Sequence, residues 1–141
     1  MYLLDVNTLI ALAWDDHEHH QAAHEWFTAN AQAGFATCHV TQSGFLRISL
    51  NPNVVHCKIT AGEATAMLDS LTSQSSHRFW EDGPVETNSV LWILVTGHNE
   101  VPDTNLFLIA RRNSGKLVTF DGAIKNRLPR PQRQWVDVIE G

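Results

Sequence analysis

The chain is 141 residues long, which fits a single domain, 1–141, able to bury most of its apolar surface without a metal or disulfide to hold it together. Its formal net charge of −5 excludes a protein that holds nucleic acid by bulk electrostatic attraction. The most apolar run, 90–95, is far shorter than the ~20 residues that cross a bilayer, so we expect no membrane-spanning segment.

Short apolar runs and helical patterns alternate along the chain, each bounded by turn or capping residues. In chain order, the pattern predicts a strand at 2–4, helices at 8–13 and from Asp15 or Asp16 to about Gly34, a strand at 35–38, helices at 41–50 and 60–73, a strand at 76–80, helices at 87–96 and 106–112, and strands at 117–120 and 135–139. The predicted N-caps are Asn7, Thr41, Thr60 and Asp103. Strands that alternate with helices predict an α/β fold, specifically a three-layer α/β/α sandwich around a central, mostly parallel sheet.

The two cysteines, Cys38 and Cys57, belong to no CxxC or Cys/His pattern, which disfavours a zinc knuckle and a disulfide scaffold. Unpaired cysteines fit a reducing cytoplasm best. Met1 leads directly into an apolar run without the basic region of a signal peptide. The sequence therefore predicts a cytoplasmic protein with no membrane partner.

Charge is distributed unevenly along the chain. Residues 1–100 carry 11 acids and 3 Lys or Arg, whereas residues 101–141 carry 4 acids and 7 Lys or Arg. A locally basic part can bind RNA phosphates beside an acidic site, and it can equally be a solvated surface. The candidate RNA contacts are Arg47, Lys116, Lys125 and Arg127.

Three aspartates stand where an apolar element ends or begins. Asp5 follows the first strand, Asp103 precedes the helix at 106–112, and Asp121 follows the strand at 117–120. Each alone has an ordinary explanation as a helix cap or turn residue. Together they can converge at one edge of a parallel sheet, where open α/β folds bind ligands. Like charges brought together in this way need a cation.

A ligand set made only of oxygens favours Mg²⁺, with Mn²⁺ as an alternative, over Zn²⁺. Such a cation lowers the pKa of a water and offsets charge on a leaving oxygen, which suits phosphodiester cleavage. Asn7 and Thr119 each lie two residues from one of the aspartates and can orient a carboxylate or a water. Helix capping by Asn7 and the β-propensity of Thr119 are the structural alternatives.

Three histidines, His17, His20 and His24, have the spacing of one face of the predicted second helix. Such a face can bind a transition metal, and it can simply be exposed and polar. We favour the polar surface because no fourth ligand is evident.

Four motifs together resemble a known family: Leu-Leu-Asp-Val-Asn-Thr-Leu at 3–9, Thr-Gln-Ser-Gly-Phe-Leu-Arg at 41–47, Pro-Asp-Thr-Asn-Leu at 102–106 and Leu-Val-Thr-Phe-Asp at 117–121. In order and spacing they resemble PIN-domain ribonucleases, specifically the VapC-type toxins of bacterial toxin–antitoxin pairs. The resemblance implies a PIN-like α/β/α sandwich and Mg²⁺-dependent cleavage of RNA at Asp5, Asp103 and Asp121. It also implies a homodimer and neutralisation by a small VapB-type antitoxin.

Gln42, the fourth candidate catalytic residue, departs from the family, which usually has a glutamate at this place. A glutamine carbonyl can still coordinate Mg²⁺, but it cannot act as a base. Two interpretations stay open: an active nuclease with one tightly and one weakly bound metal, or an impaired module that binds RNA or the antitoxin. The three intact aspartates favour the active enzyme. A phosphatase with an aspartate nucleophile is a third alternative, disfavoured because Asn7 stands where such enzymes usually carry a second aspartate.

A toxin of this kind needs an apolar surface for its antitoxin and its twin subunit. The predicted helices at 41–50 and 60–73 carry enough Leu, Met, Phe and Ile to supply one. The sequence alone does not separate such an interface from the core.

Overall fold

Five short strands form one sheet in this computed structural model, which describes all residues 1–141. The strands are β1 (Tyr2–Leu4), β2 (Phe35–Thr37), β3 (His77–Phe79), β4 (Lys116–Thr119) and β5 (Val136–Val138). They lie in the order β3-β2-β1-β4-β5, and every neighbouring pair is parallel. The predicted central sheet is confirmed, and it is parallel throughout.

Helices cover both faces of this sheet: α1 (Val6–Ala13), α2 (His20–Asn30), α3 (His39–Ser49), α4 (Ala61–Thr72), α5 (Val101–Arg112) and α6 (Ala123–Arg127). Short 3₁₀ turns occur at Ala31–Ala33, Val90–Leu94, His98–Glu100 and Arg130–Trp135. None of the helices is long and apolar enough to cross a membrane. The neighbours Leu3 and Leu4 of β1 lie in different apolar clusters, one built with α5 and one with α1, α3 and α4. The predicted three-layer sandwich is therefore confirmed.

The strand order reverses between β1 and β4. β1 pairs with β2 on one side and with β4 on the other, so the chain leaves these two central strands toward different parts of the fold. In open parallel sheets a ligand crevice forms at such a point, outside the carboxyl ends of the strands. Asp5 follows β1 directly, and Asp121 follows β4 by two residues, so both lie at this crevice.

The helices α1 and α5 each have an aspartate near their start, and both starts differ from the prediction. Asp5 caps α1 in place of Asn7, because its Oδ1 accepts the backbone N–H of Thr8 at 2.8 Å. α5 begins at Val101, so Asp103 lies within its first turn and does not cap it. A 3₁₀ turn leads directly into α5. Its backbone carbonyls accept hydrogen bonds at the start of the helix, so a side-chain cap is not needed there.

The predicted start is confirmed for α4 and is wrong for α3 and α2. Thr60 caps α4 as predicted, and it exchanges hydrogen bonds of 3.1 Å with Glu63 in a capping box. α3 is preceded by Cys38, and the hydroxyl of Thr41 reaches back to the Cys38 N–H at 2.9 Å from the third helical position. α2 begins only at His20, later than predicted, because the residues before it form hydrogen-bonded turns.

The apolar segment 87–96, predicted as a helix, is largely irregular. Only Val90–Leu94 forms a 3₁₀ turn, and within it Leu91 alone is buried. Ile93 is 83 % exposed and Val90 is 72 % exposed. The helix prediction is wrong because apolar content does not ensure burial, and most of this segment lies outside the core.

Candidate metal centre

Asp5, Asp103 and Asp121 come from three elements that meet at the carboxyl edge of the sheet. The N–H of Asp5 donates to the Val118 carbonyl at 3.1 Å, which extends the pairing of β1 with β4 by one residue. Asp121 follows β4, and Asp103 lies in the first turn of α5, the helix that leads into β4. Because α5 delivers the chain to the amino end of β4, its own first turn lies toward the opposite, carboxyl edge.

Two of the three carboxyl groups, those of Asp103 and Asp5, have raised pKa values. The pKa of Asp103 is raised to about 6, first by burial and then by the negative charges of Asp5 and Asp121. The pKa of Asp5 is also raised, chiefly by burial, with a smaller contribution from the charge of Asp121. The site therefore holds negative charge that the protein only partly compensates, which is the situation that a bound cation relieves.

Asp5 is held in one orientation by its role as a helix cap. The residue is 6 % exposed, and its Oδ1 accepts both the N–H of Thr8 at 2.8 Å and the hydroxyl of Thr8 at 2.6 Å. These bonds lower the pKa of the carboxyl but do not outweigh its burial. Capping and metal binding are compatible here, since a carboxylate offers several acceptor positions.

Thr119 connects two of the aspartates from the end of β4. Its buried hydroxyl accepts the N–H of Asp121 at 3.0 Å, and it lies near enough to Asp5 to lower the pKa of that carboxyl. The Oδ1 of Asp121 in turn accepts the N–H of Ala123 at 2.9 Å, where α6 begins. Thr119 is thus placed to orient both carboxylates, whereas Asn7 is exposed and lines a cleft beside Asp121.

The donor set fits a hard divalent cation. No three His, Cys, Asp or Glu side chains stand close enough to form a ready-made metal cage. Mg²⁺ does not need one, because it commonly binds through one or two carboxylates and keeps several waters. Three aspartates around an open crevice therefore suit Mg²⁺ or Mn²⁺ better than they suit Zn²⁺.

Gln42 lies in the first part of α3, just after the carboxyl end of β2, and its side chain is hydrogen-bonded to β2. Its Nε2 donates to the Thr37 hydroxyl at 2.9 Å, and the same hydroxyl lies 2.7 Å from His77 Nε2. None of its hydrogen bonds reaches an aspartate. The amide of Gln42 is therefore tied to the neighbouring strand.

Arg127 is the cation closest to the acidic site. It belongs to α6, a five-residue helix too short to show a period in the sequence, and its charge lowers the pKa of Asp103. Its Nε lies 3.8 Å from Glu100 Oε1, and its Nη2 is buried without a hydrogen-bond partner. Lys125 stands in the same short helix.

Two predicted RNA contacts lie away from the aspartates. Lys116 begins β4, so the direction of the strand puts it at the amino edge of the sheet, opposite Asp121. Arg47 is exposed in the last turn of α3, about 7 Å along the helix axis from Gln42. Neither residue belongs to the candidate centre.

The histidines do not form the helix face that their spacing suggested. α2 begins at His20, and His17 lies in the turn before it. Nδ1 of His20 lies 2.8 Å from the carbonyl of Ala11 and is therefore occupied. A transition-metal patch of His17, His20 and His24 is not formed, since no such group stands close enough to hold an ion.

Comparison with known proteins gives several relatives of one kind. Ribonuclease VapC38 of Mycobacterium tuberculosis is 44% identical over 124 residues, which cover 88% of this chain and 87% of VapC38. Ribonuclease VapC29 of the same organism is 36% identical over 122 residues, 86% of each chain. The crystal structure of M. tuberculosis VapC20, a toxin that cleaves the sarcin–ricin loop, matches with a TM-score of 0.65 and 14% identity, over 89% of this chain and 94% of that one, and so supports the fold. No family model matches the sequence.

Proposed function

Because this chain belongs to the VapC family of ribonuclease toxins, we propose that it is an endoribonuclease that depends on Mg²⁺ or Mn²⁺ held by Asp5, Asp103 and Asp121. The observation that carries the proposal is geometric: Asp5 and Asp121 follow the neighbouring strands β1 and β4, and Asp103 lies in the first turn of α5. Burial, and then the charges of Asp5 and Asp121, raise the pKa of Asp103 to about 6. Carboxylates that disturb one another at the reversal point of a parallel sheet are arranged to share a cation. Family membership also favours nuclease chemistry over the phosphatase alternative.

In this proposal, some residues of the site bind the cation and another orients the carboxylates that bind it. A bound divalent cation would supply the positive charge that lowers the pKa of an attacking water and offsets charge on the leaving oxygen. Asp5, Asp103 and Asp121 would hold the cation. Thr119 would keep Asp5 and Asp121 in fixed orientations through its hydroxyl, as outer partners of metal ligands commonly do.

Arg127 and Lys125 are the proposed contacts to RNA phosphate. The buried Nη2 of Arg127 lacks a hydrogen-bond partner within the chain, and an unpaired buried donor is costly. The Arg127 side chain keeps 18% of its surface exposed, and through that part it can pair with a phosphate oxygen bound beside the cation. Lys125, two residues earlier, adds a second positive charge to the same short helix α6.

Gln42 is the reason for keeping a second proposal. A neutral side chain that donates to Thr37 adds no negative charge, so we expect one tightly bound cation and a weaker second one. If the missing carboxylate has disabled the site, the protein would instead act by binding RNA or its antitoxin.

We propose a homodimer neutralised by a small VapB-type antitoxin, with an apolar surface formed by Val85, Val90, Ile93, Leu94 and Val101. These side chains are 40–83% exposed. Together with Thr87 and Trp92, Val85 and Val101 line a shallow hollow of about 310 Å³. In the helices α3 and α4, which the sequence also offered for this surface, Phe45 and Leu71 are buried in the core. Exposed apolar side chains in one segment are typical of a protein interface.

Cleavage of total bacterial RNA tests the proposal. Purified protein should cut RNA with Mg²⁺ or Mn²⁺ and not with chelator, and Asp103→Asn should reduce the rate by at least about 100-fold. Asp69→Asn, on the exposed face of α4, is the matched control and should cut normally. Saturable RNA binding without cleavage by the wild-type protein would instead support the impaired binding module.

A further inference from the structure

A cleft of about 460 Å³ opens directly beside the candidate metal centre. Its lining residues are Asn7, His17, Glu18, His19, Phe120 and Asp121. Asp121 thus belongs both to the acidic site and to the wall of this cleft. The volume lies within the range of about 300–1,000 Å³ that is usual for small-ligand sites.

Two aromatic rings in this cleft already form a stack. The imidazole of His19 lies with its centroid 5.0 Å from that of Phe120, and the two planes differ by 19°. Phe120 is anchored against the apolar cluster of α1, α3 and α4, so the stack rests on the core. A planar ring entering the cleft would extend an existing stack and would not have to create one.

His17 adds a third ring to the wall. Its centroid is 5.7 Å from that of His19, and its Nδ1 accepts the backbone N–H of His19 at 3.1 Å, which fixes its orientation. Burial, followed by the neighbouring His19, lowers the pKa of His17, which favours the neutral imidazole. A neutral ring is a stacking surface and not a phosphate site, which distinguishes this wall from the basic helix α6.

The rim of the cleft supplies hydrogen-bonding groups. Asn7 contributes an amide with donors and an acceptor, and Glu18 contributes a carboxylate that only accepts. Proteins recognise unpaired RNA bases by this combination, in which aromatic or imidazole rings stack on the base and polar side chains contact its edge. A second hollow of about 300 Å³ shares His17 and Glu18 and continues the groove away from Asp121.

We propose that this cleft binds one unpaired nucleobase of the RNA, stacked on His19 with the tilted ring of His17 at its edge, beside the phosphate that is cut at Asp121. The inference rests on the proposed nuclease function for the position of the phosphate, and on the cleft alone for the base. His19 and His17 select unpaired RNA, because a base within a duplex cannot reach the rings. Of the three histidines considered for a metal patch, only His17 lines this cleft, and its proposed role is in binding the substrate.

The test uses short unstructured oligoribonucleotides that each carry one 2-aminopurine, whose fluorescence falls when the base stacks. In chelator, which prevents metal-dependent cleavage, the wild-type protein should quench at least one of them. His19→Ala should weaken this binding by about tenfold, the effect expected for one lost stacking partner. His19→Phe, which keeps a ring, should bind nearly as the wild type does, and so should His24→Ala on the far part of α2.

With Mg²⁺ and the same oligonucleotides, His19→Ala should raise KM by about tenfold and leave kcat within about threefold, because a base-stacking residue contributes to binding more than to the chemical step. Absence of quenching by the wild type, or equal quenching by the wild type and His19→Ala, would overturn the nucleobase subsite. Quenching without cleavage would refute the nuclease function and leave the subsite standing. Cleavage with kinetics unchanged in His19→Ala would refute the subsite and leave the nuclease.

Discussion

Asp103 carries an electrostatic penalty in the candidate metal centre. Burial and two neighbouring carboxylates raise its pKa to about 6 in the folded protein. A raised folded pKa means that the native state binds this proton more tightly than the unfolded chain does. Stability contributed by this group is therefore full at low pH and is lost as the pH rises from the ordinary value of 3.8 to about 6.

Asp103→Asn should raise the melting temperature of the metal-free protein at pH 7, because it removes a half-buried charge beside two others. The difference should shrink as the pH falls below about 6 and Asp103 takes up a proton. Mg²⁺ should raise the melting temperature of the wild type and leave the variant nearly unchanged. Thermal melts across pH, with and without chelator, measure both effects, and identical curves for the two proteins at pH 7 would refute the charge cluster.

Gln42→Glu should tighten divalent-metal binding roughly fivefold, equivalent to ~1 kcal/mol of attraction between partly solvated charges. Titration of the protein with Mn²⁺ measures this change directly. Gln42→Leu, which has neither charge nor amide, is the comparison that separates charge from loss of the bond to Thr37. Equal Mn²⁺ affinity in the wild type and Gln42→Glu would place position 42 outside the metal centre.

For single residues, the spacing in the sequence predicts which side chains come together better than it predicts the hydrogen bonds that each of them makes. Asp5, Asp103 and Asp121 are identifiable because strand exits of a parallel sheet share an edge. That Asp5 also caps α1 is harder to see, since an aspartate and an asparagine two residues apart are both good N-caps. Lys116 was misplaced for a different reason: it starts a strand, and only the strand direction shows which edge that start faces.

Among the elements, α1 and α3 set the distance between the exits of β1 and β2. They approach closely at Gly44, where an added Cβ would lie 2.6 Å from Val6 Cγ2. A Cβ at this position therefore requires Val6 or one of the two helices to move. Glycine at this position therefore serves packing, although it lowers helix propensity.

Gly44→Ala should destabilise the protein by ~1–3 kcal/mol, because overpacking outweighs the gain in helix propensity. Gly62→Ala in α4, where the nearest atom would be 3.9 Å away, is the control and should be neutral or stabilising. Adding Val6→Ala to Gly44→Ala should restore most of the loss, as measured by denaturant unfolding. A stabilised Gly44→Ala variant would show that the two helices do not constrain each other.

Helices are predicted well where their sequence pattern is long. They are missed where the pattern is short, and they are wrongly predicted where apolar side chains have no surface to pack against in the chain. α4 and α5 each cover three turns, and both were predicted. α6 has five residues and shows no period, so it was missed. The segment 87–96 has a helical length, but its apolar side chains lack a surface to pack on within one subunit.

The segment 87–96 lies in the proposed interface between two subunits. Ile93→Asp should convert the expected dimer into a monomer, because a charge would be buried at the centre of the apolar surface. Light scattering after gel filtration measures the mass. Ala66→Asp, in an apolar hollow between α1 and α4, is the comparison and should leave the dimer intact. Dissociation by Ala66→Asp and not by Ile93→Asp would assign the interface to α4.

The most direct measurement is calorimetric titration of the chelator-treated protein with Mn²⁺, alongside Asp103→Asn, Asp121→Asn and the surface control Asp69→Asn. We expect at least one saturable site in the wild type and in Asp69→Asn, and a loss of affinity of about tenfold or more in each of the other two variants. Equal Mn²⁺ binding by all four proteins would contradict a metal centre at the carboxyl edge of the sheet.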